Sequence, residues 1–180
     1  MRRTSKHADT AAKSYAAACS SGVCRVAGCS LRVAWTHAGL AFVTGESPGA
    51  AAQVRRRLRM ELVGRPVPKV IARALKRAAT ASVDVDVPID LTWARDFERD
   101  VLIAAREIPA GQTRSYSWLA RQARRPLAVR AAASAIANNP LWLLVPCHRV
   151  IYADGTLGPY GRKGNARKRA LLAREGVKLP

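Results

Sequence analysis

The sequence predicts an α+β protein in which a small α/β layer is followed by a helical region. Strand-like and helix-like patterns alternate up to about residue 90, whereas beyond Asp90-Leu91-Thr92 the apolar residues recur at helical spacing. The 180 residues, of which 49% are hydrophobic, are enough to bury a sizeable core. We expect a flexible leader over residues 1–28, which is rich in Ala, Ser and Lys without periodicity, an N-terminal α/β domain over 29–90 and a C-terminal domain over 91–180.

The elements of the N-terminal layer follow from composition and spacing. Strand-like residues flank the turn His37-Ala38-Gly39, which is typical of a hairpin. Val54, Leu58 and Leu62 recur at helical spacing among arginines and predict a basic amphipathic helix that Gly64 ends. The predicted elements are strands 31–35 and 40–43, helices 50–63 and 70–78, and the alternating, half-exposed strand Val83-Asp84-Val85-Asp86-Val87.

The C-terminal region is predicted to contain four short helices. Pro109 ends the first, Thr113 or Ser115 caps the second, and Pro126 suits the first turn of the third. The second and third helices, joined by a tight turn, match a helix-turn-helix whose Ala-rich second member is opened by Arg130. The alternative is an ordinary helical hairpin in a core. The four helices are predicted around 97–105, 116–123, 126–138 and 166–172, with Val129, Ala133 and Ile136 on the inner face of the third.

The charge of the chain indicates a polyanionic partner. It contains 31 Lys and Arg against 12 Asp and Glu, a net charge of +19. Nucleic acid is the default partner of so basic a chain, and a solvated basic face is the alternative. No carboxylate occurs from Ile108 to Ala153, a window that contains Arg114, Arg121, Arg124, Arg125, Arg130 and Arg149. No apolar run reaches the ~20 residues of a membrane span, so we expect no membrane partner.

A cysteine followed by a histidine and an arginine closes the apolar run that starts at Asn139-Pro140. Cysteine reacts as its thiolate, which neighbouring cationic groups favour, and a histidine can accept the thiol proton. Cys147 is therefore the candidate nucleophile and His148 the candidate base. The alternative is a buried structural cysteine, with His148 and Arg149 turned to solvent.

Glu175 is one of the few acids in the C-terminal half, and two interpretations are open. It orients His148, as acids orient histidines in catalytic triads. Otherwise it pairs with Arg174 or Lys178 at the surface, just before a helix terminus at Gly176.

Three further cysteines lie near the N-terminus. Cys19-x4-Cys24-x4-Cys29, with His7 and His37 nearby, contains zinc-ligand residue types at a spacing wider than structural zinc sites favour. We interpret them as small core-like residues and expect no metal and no cofactor. A catalytic thiol in a DNA-associated protein indicates a reducing compartment, and the N-terminus lacks a signal-peptide pattern, so we expect a cytoplasmic protein.

From about Leu31 to Val177 the chain resembles the methylated-DNA–protein-cysteine methyltransferases, the O6-alkylguanine-DNA alkyltransferase family. The strongest match is Asn139-Pro140 followed by Val145-Pro146-Cys147-His148-Arg149-Val150. The supporting blocks are Phe97-Glu98-x2-Val101, Ile108-Pro109-x-Gly111-x-Thr113-x-Ser115-Tyr116, Arg130-Ala131, Gly155-x-Leu157-Gly158-x-Tyr160 and Lys168-x2-Leu171-Leu172-x2-Glu175-Gly176.

The resemblance implies a ribonuclease H-like N-terminal layer and a winged-helix-like C-terminal domain that holds the helix-turn-helix and the active site. It implies that the helix-turn-helix enters the minor groove of double-stranded DNA and that an alkylated base is flipped into a pocket. The implied reaction is a stoichiometric transfer of the alkyl group from O6-alkylguanine to Cys147, which inactivates the protein; O4-alkylthymine is a second candidate substrate. The protein would act as a monomer without a cofactor.

The family pattern also implies residue roles. Cys147 attacks the alkyl carbon, His148 accepts the thiol proton and Glu175 orients His148. Tyr116 helps to rotate the nucleotide and protonates the leaving purine, and Asn139 holds the turn before the cysteine. The implied DNA contacts are Arg130, which fills the vacated stack, with Arg124, Arg125, Ser115 and Arg149. The implied pocket residues are Ile136, Val150, Tyr160 and Gly161.

The chain departs from the family pattern at several positions. Gly161 replaces a serine often found after the pocket tyrosine, within a loop, 161–165, longer than in some relatives. Leu102 stands where relatives often carry tryptophan, and Thr36 and Ala41 occupy two zinc-ligand positions, so no metal is expected. Two other functions stay open. A lesion-binding protein without transfer activity would lack the reactive cysteine, and a cysteine hydrolase would turn over and carry protease signatures that do not occur here.

Overall fold

The structure, a computed structural model, describes residues 18–80, 85–158, 160 and 164–179. The fold is mixed α+β, as predicted. The strands are β1 (Ala18–Val26), β2 (Cys29–Thr36), β3 (Gly39–Gly45), β4 (Glu61–Gly64), β5 (Arg114–Ser115) and β6 (Val150–Ile151). The helices are α1 (Ala50–Leu58), α2 (Lys69–Thr80), α3 (Asp96–Arg106), α4 (Tyr116–Gln122), α5 (Val129–Ala137) and α6 (Ala166–Arg174). Within the described ranges no helix has the length and apolar character needed to cross a membrane.

The N-terminal sheet has the strand order β3-β2-β1-β4. The predicted hairpin is confirmed, because β2 and β3 pair antiparallel. The leader predicted over residues 1–28 is wrong at its end: residues 18–26 form β1, which is antiparallel to β2 and parallel to β4. Residues 1–17 lie outside the described part. β1 is a central strand with small side chains such as Cys19, Ser21 and Gly22. Such residues have weak strand propensity, so the composition of this segment did not predict a strand.

Helices cover both faces of this sheet. Successive residues of a strand point to opposite faces, so the contacts of two neighbouring residues show what covers each face. Val33 of β2 belongs to the main core together with Leu75 of α2. Ala34, the next residue, belongs to a smaller cluster with Val54 and Leu58 of α1. Thus α1 and α2 lie on opposite faces of the sheet, and the predicted second helix is confirmed as α2.

The helix predicted over 50–63 ends earlier, at Leu58. Arg59 takes up a left-handed conformation with φ 56° and donates its backbone N–H to the carbonyl of Arg55 at 2.8 Å. Leu62, which continued the helical spacing in the sequence, instead lies in β4 opposite Cys19 of β1. Pairing with an open sheet edge outweighed the local helical pattern here.

The strand predicted at Val83–Val87 is wrong over residues 85–87, which form no strand, and residues 83 and 84 lie outside the described part. The chain meets the sheet only at a single bridge between Ile89 and Leu40. Leu40 donates to the carbonyl of Pro88 at 2.9 Å, and Asp90 donates to the carbonyl of Leu40 at 2.8 Å. Pro88 has no N–H to continue a ladder, so the pairing stays local.

The C-terminal helices are close to those predicted. Ser115, not Thr113, caps α4 by accepting the backbone N–H of Trp118 at 3.1 Å. Pro126 was expected in the first turn of the next helix, but α5 begins at Val129 and Pro126 lies in the turn before it. The N–H of Ala128 closes this turn on the carbonyl of Arg125 at 2.9 Å, which delays the helix.

The two halves of the molecule share one apolar core. Leu40 and Leu75 of the N-terminal half belong to the same buried cluster as Leu102 and Leu119. A backbone hydrogen bond of 2.9 Å from Val43 to the carbonyl of Pro140 also joins β3 to the segment that leads to Cys147. This segment is therefore held from both sides.

Candidate active site

Asn139 fixes the turn that leads to Cys147. Its Nδ2 donates to the carbonyl of Val145 at 2.9 Å, and its Oδ1 accepts the N–H of Leu141 at 2.9 Å. The side chain is buried, so both hydrogen bonds form away from solvent. Cys147 then begins a 3₁₀ turn, Cys147–Arg149, whose position depends on this clamp.

The Cys147 thiol lies under Tyr160 and is almost buried, with 8% of the residue exposed. Its Sγ is 3.9 Å from the Tyr160 hydroxyl oxygen. Burial raises the pKa of the Cys147 thiol, although hydrogen bonds from Tyr160 and Asn139 and the charge of Lys168 act in the opposite direction. The resting form is therefore the thiol, and its proton must leave before sulfur can act as a nucleophile.

His148 forms a hydrogen bond with a buried carboxylate. Its Nε2 lies 2.9 Å from Oε1 of Glu175, whose side chain is 2% exposed. Glu175 thus pairs with His148 rather than with Arg174 or Lys178. Burial lowers the pKa of His148 and outweighs the opposing effect of Glu175, so the imidazole is neutral at pH 7 and free to accept a proton.

Arg149 completes this network and corrects a prediction. It was expected to contact DNA, but it is 2% exposed and points inward. Its Nε and Nη2 donate to the Glu175 carboxylate at 2.9–3.2 Å, and its Nη1 donates to the carbonyl of Ile108 at 2.6 Å. A phosphate cannot reach a guanidinium in this position, because the Glu175 carboxylate already accepts the N–H groups that would bind the phosphate.

The charge of Glu175 is set by these two neighbours. Burial alone would raise the pKa of its carboxyl, but hydrogen bonds from Arg149 and His148 outweigh burial, and the pKa is lowered. Glu175 therefore stays ionised at neutral pH. An ionised Glu175 keeps a fixed acceptor against His148 and so determines the orientation of the ring.

Lys168 is a functional candidate to which the sequence interpretation assigned no role, although it lies in one of the matching blocks. It is 1% exposed, and its Nζ donates to the carbonyl of Val150. Nζ also lies 5.9 Å from the ring centre of Tyr116. Burial lowers the pKa of Lys168 to about 8, against the opposing effect of Cys147, so the ammonium remains mostly charged at pH 7. The signal was a lysine on the apolar side of a predicted amphipathic helix.

A cavity of about 540 Å³ opens above Cys147. This is within the range of small-molecule sites, roughly 300–1,000 Å³. Two of the four expected pocket residues, Ile136 and Tyr160, line it. Val150 is wholly buried and does not line it, and Gly161 lies outside the described residues. The lining residues that the sequence interpretation missed are Ala133, Ala137, Trp142, Tyr152 and Arg167.

Tyr116 forms one wall of the cavity and is held in a fixed position. Its ring is 5.3 Å from that of Tyr152 at a tilt of 58°. A Cβ at Gly158 would lie 2.4 Å from the Tyr116 hydroxyl, so only glycine leaves room for this side chain. Burial, followed by the neighbouring Tyr152 and Cys147, raises the pKa of Tyr116 to about 12, which keeps its hydroxyl proton available for donation.

Three of the five expected DNA contacts are exposed arginines around α5. Arg130 lies in the first turn of α5, and Arg124 and Arg125 lie in the turn that precedes it. Ser115 is less available, because its Oγ caps α4 and also lies 2.8 Å from the Ser117 Oγ. As to metals, within the described residues no group of three or more His, Cys, Asp or Glu side chains is placed to hold an ion.

Comparison with known proteins identifies the family. Residues 96–177 match the family model of the 6-O-methylguanine DNA methyltransferase DNA-binding domain. The chain is 48% identical over 89 residues to the bifunctional transcriptional activator/DNA repair enzyme Ada of Escherichia coli, covering 49% of the chain and 25% of Ada. It is 46% identical over 97 residues to the methylated-DNA–protein-cysteine methyltransferase of Mycobacterium bovis, covering 54% of the chain and 58% of that protein. The matched segments thus span between a quarter and three fifths of these curated relatives.

A solved structure extends the match over most of the chain. The crystal structure of Mycobacterium tuberculosis OGT in complex with DNA aligns with a TM-score of 0.68 and 32% identity. The alignment covers 87% of this chain and 92% of that one. The chain therefore belongs to the O6-methylguanine-DNA methyltransferase family.

Proposed function

We propose that this protein repairs DNA by moving an alkyl group from O6-alkylguanine to Cys147 in a single turnover. One observation carries the proposal: a nearly buried thiol lines the cavity of about 540 Å³, and the next residue in the chain is a neutral histidine held by an ionised glutamate. The family membership supports the same chemistry. O4-alkylthymine is a second lesion for the same test.

The transfer is a displacement at carbon. His148 takes the thiol proton through one bridging water, and the Cys147 sulfur attacks the alkyl carbon. The new S–C bond forms as the bond between that carbon and the guanine oxygen breaks, and the electron pair of the broken bond passes to the purine. Tyr116 donates a proton to the purine, so that neutral guanine leaves. The thioether on Cys147 is stable, and each molecule acts once.

The neighbouring groups support these steps. Tyr160 and Asn139 favour the thiolate as it forms, because their interactions with the sulfur lower the pKa of Cys147. The Lys168 ammonium adds a positive charge that acts in the same direction. Glu175 orients His148 in the tautomer that accepts the proton and stabilises the imidazolium that results.

The DNA partner is proposed to bind across α4 and α5, the helix-turn-helix of a winged-helix-like domain, while the sheet domain is ribonuclease H-like. Arg130 enters the minor groove and fills the gap that a flipped base leaves. Arg124 and Arg125 contact phosphates beside it. We infer that the protein acts as a monomer in the cytoplasm on double-stranded DNA that contains alkylated bases.

The test is a single-turnover assay with an oligonucleotide duplex that carries O6-methylguanine. We expect one methyl group per protein molecule, and mass spectrometry should place it on Cys147. Cys147→Ser should abolish transfer and leave DNA affinity nearly unchanged. Methylation at Cys19, Cys24 or Cys29 would contradict the proposal. Binding without transfer would indicate a lesion-binding protein, and multiple turnover would indicate a hydrolase.

A further inference from the structure

A second, larger groove lies beside the active-site cavity. Its volume is about 700 Å³, and it runs between α1 of the N-terminal sheet domain and α5. The groove shares Ala137, Asn139 and Trp142 with the cavity above Cys147, so the two openings adjoin at the C-terminal end of α5. The mechanism proposed above does not use it.

The α5 wall of the groove is formed by an exposed edge of that helix. Ala131, Ser134 and Asn138 follow one another at helical spacing and all line the groove. Each of the three is exposed, in contrast to the buried Ala132 of the same helix, which does not line the groove. A ligand that covers this edge of α5 therefore also faces the opposite wall.

The opposite wall is basic. α1 has no acidic residue in its first turn and carries Arg55, Arg56 and Arg57 in its last. Arg56 lines the groove, is exposed, and forms no ion pair with any described residue. At the other rim the Arg125 guanidinium lies 5.6 Å from the ring centre of Phe97, which also lines the groove.

Among the described residues that line the groove, the one acid is already neutralised. Glu98 pairs with Arg57, whose guanidinium also lies 4.6 Å from the ring centre of Trp93. These contacts attach α1 to the start of α3. Arg57 is thus a structural residue, whereas the adjacent Arg56 keeps its charge available.

We propose that this groove binds the phosphodiester backbone of the DNA that flanks the lesion, with Arg56 as a phosphate contact supplied by the N-terminal domain. The proposal rests on the function proposed above, because DNA must lie on α5. Its physical basis is charge complementarity between a polyanion and a groove whose one described carboxylate, Glu98, is paired with Arg57. Phosphate contacts from both α1 and α5 would fix the position and orientation of the duplex, whereas contacts from α5 alone would leave the duplex free to rotate.

The experiment compares Arg56→Ala with a matched control, Arg73→Ala. Arg73 is also exposed and forms no ion pair within the described part of the chain, but it lies on α2, on the opposite face of the sheet. Both variants lose one positive charge from the same domain. Equilibrium binding to an unmodified duplex is measured across salt concentrations, together with single-turnover transfer from free O6-methylguanine base.

We expect Arg56→Ala to reduce the slope of log affinity against log salt by about 0.9, the value for one lost phosphate contact. Between 50 and 200 mM salt, the affinity ratio of wild type to variant then shrinks by about 3.5-fold. Arg73→Ala should keep the wild-type slope, and both variants should keep the wild-type rate on the free base.

Equal slopes for wild type, Arg56→Ala and Arg73→Ala would overturn the groove proposal and leave alkyl transfer untouched. Equal reductions in both variants would also overturn it, because they would indicate a general effect of net charge. If wild type transfers methyl from neither duplex nor free base, the proposed function itself fails. A circular dichroism melt of each variant verifies that neither substitution unfolds the domain.

Discussion

Arg149→Met distinguishes the two roles assigned to Arg149, a buried ion pair in the structure and a DNA contact in the expectation drawn from the sequence. The expectation placed Arg149 on DNA, and the structure places it in a buried pair with Glu175. Methionine keeps much of the volume of the side chain but cannot donate the hydrogen bonds to Glu175 and to the carbonyl of Ile108. Among the described residues, the Glu175 carboxylate would then keep only His148 and a long contact to the N–H of Gly111, at 3.4 Å, as partners.

The magnitude follows from this geometry. Removing one partner of a buried ion pair costs about 3–5 kcal/mol, since an uncompensated charge remains in the interior. For a chain of this size each kcal/mol lowers the melting temperature by about 2–4 °C, so the melting temperature should fall by about 6–20 °C. Arg124→Met, on an exposed residue, should change stability by less than about 0.5 kcal/mol.

The pH dependence of the loss has a definite sign. The folded-state pKa of Glu175 is lowered from 4.5, so its stabilising contribution is complete above pH 4.5 and is lost as the pH falls through the folded-state pKa. The difference in unfolding free energy between wild type and Arg149→Met should therefore be large at pH 7 and shrink in acid. Urea unfolding at several pH values measures it. An Arg149→Met protein as stable as wild type, but with a reduced salt slope in DNA binding, would refute the buried-pair assignment.

Four further predictions concern the site and the DNA surface. Arg130→Ala should slow transfer from duplex DNA far more than transfer from free base, which requires no flipping; equal losses in single-turnover assays would indicate a structural role. Lys168→Met should slow transfer at pH 7, and the deficit should narrow as the pH rises through about 8, where wild-type Lys168 loses its proton; a constant deficit in the pH profile would contradict an electrostatic role. Because the pKa of His148 is held below 6.5, the transfer rate should stay high at pH 6.5 and decline only in more acidic buffer; a midpoint above 6.5 would exclude His148 as the base. Affinity for undamaged duplexes should fall linearly on a log–log plot against salt and depend little on sequence; a flat salt response would contradict this.

Much of the C-terminal half could be predicted because its signals are local. Apolar spacing located α3, and the capping rules identified Ser115 as one of two candidates for the start of α4. Cys147, His148 and Glu175 were chosen by residue type and family pattern, and the structure brings the last two within 2.9 Å. These features depend on short stretches of chain, so residue type and local spacing are enough to predict them.

The failures arose where partners distant in sequence decide the structure. Ala18–Val26 is a strand because β2 and β4 lie on either side of it, not because its small residues favour one. Arg149 was grouped with the surface arginines, since a list of charges does not show that Glu175 and Ile108 lie next to it. The apolar environment of Lys168 was likewise hidden, because it comes from Val150 and Tyr116 in other elements. Whether a charged side chain is buried depends on the tertiary structure, and local sequence patterns do not predict it.

The raised pKa of Cys147 fits the single turnover proposed above. A thiol that stayed ionised in the resting protein would be open to oxidation and to any free alkylating agent, because the thiolate is the reactive form. Here burial keeps sulfur protonated, while Tyr160, Asn139 and Lys168 favour the thiolate without overcoming burial. We infer that the balance shifts when a flipped base fills the cavity and places the alkyl carbon against sulfur. Cys29 is exposed, whereas Cys147 is buried, so Cys29 provides an internal comparison. With a small thiol reagent that needs no DNA, Cys29 should be modified well before Cys147, whereas a lesion-containing duplex should alkylate Cys147 alone; faster labelling of Cys147 would contradict this argument.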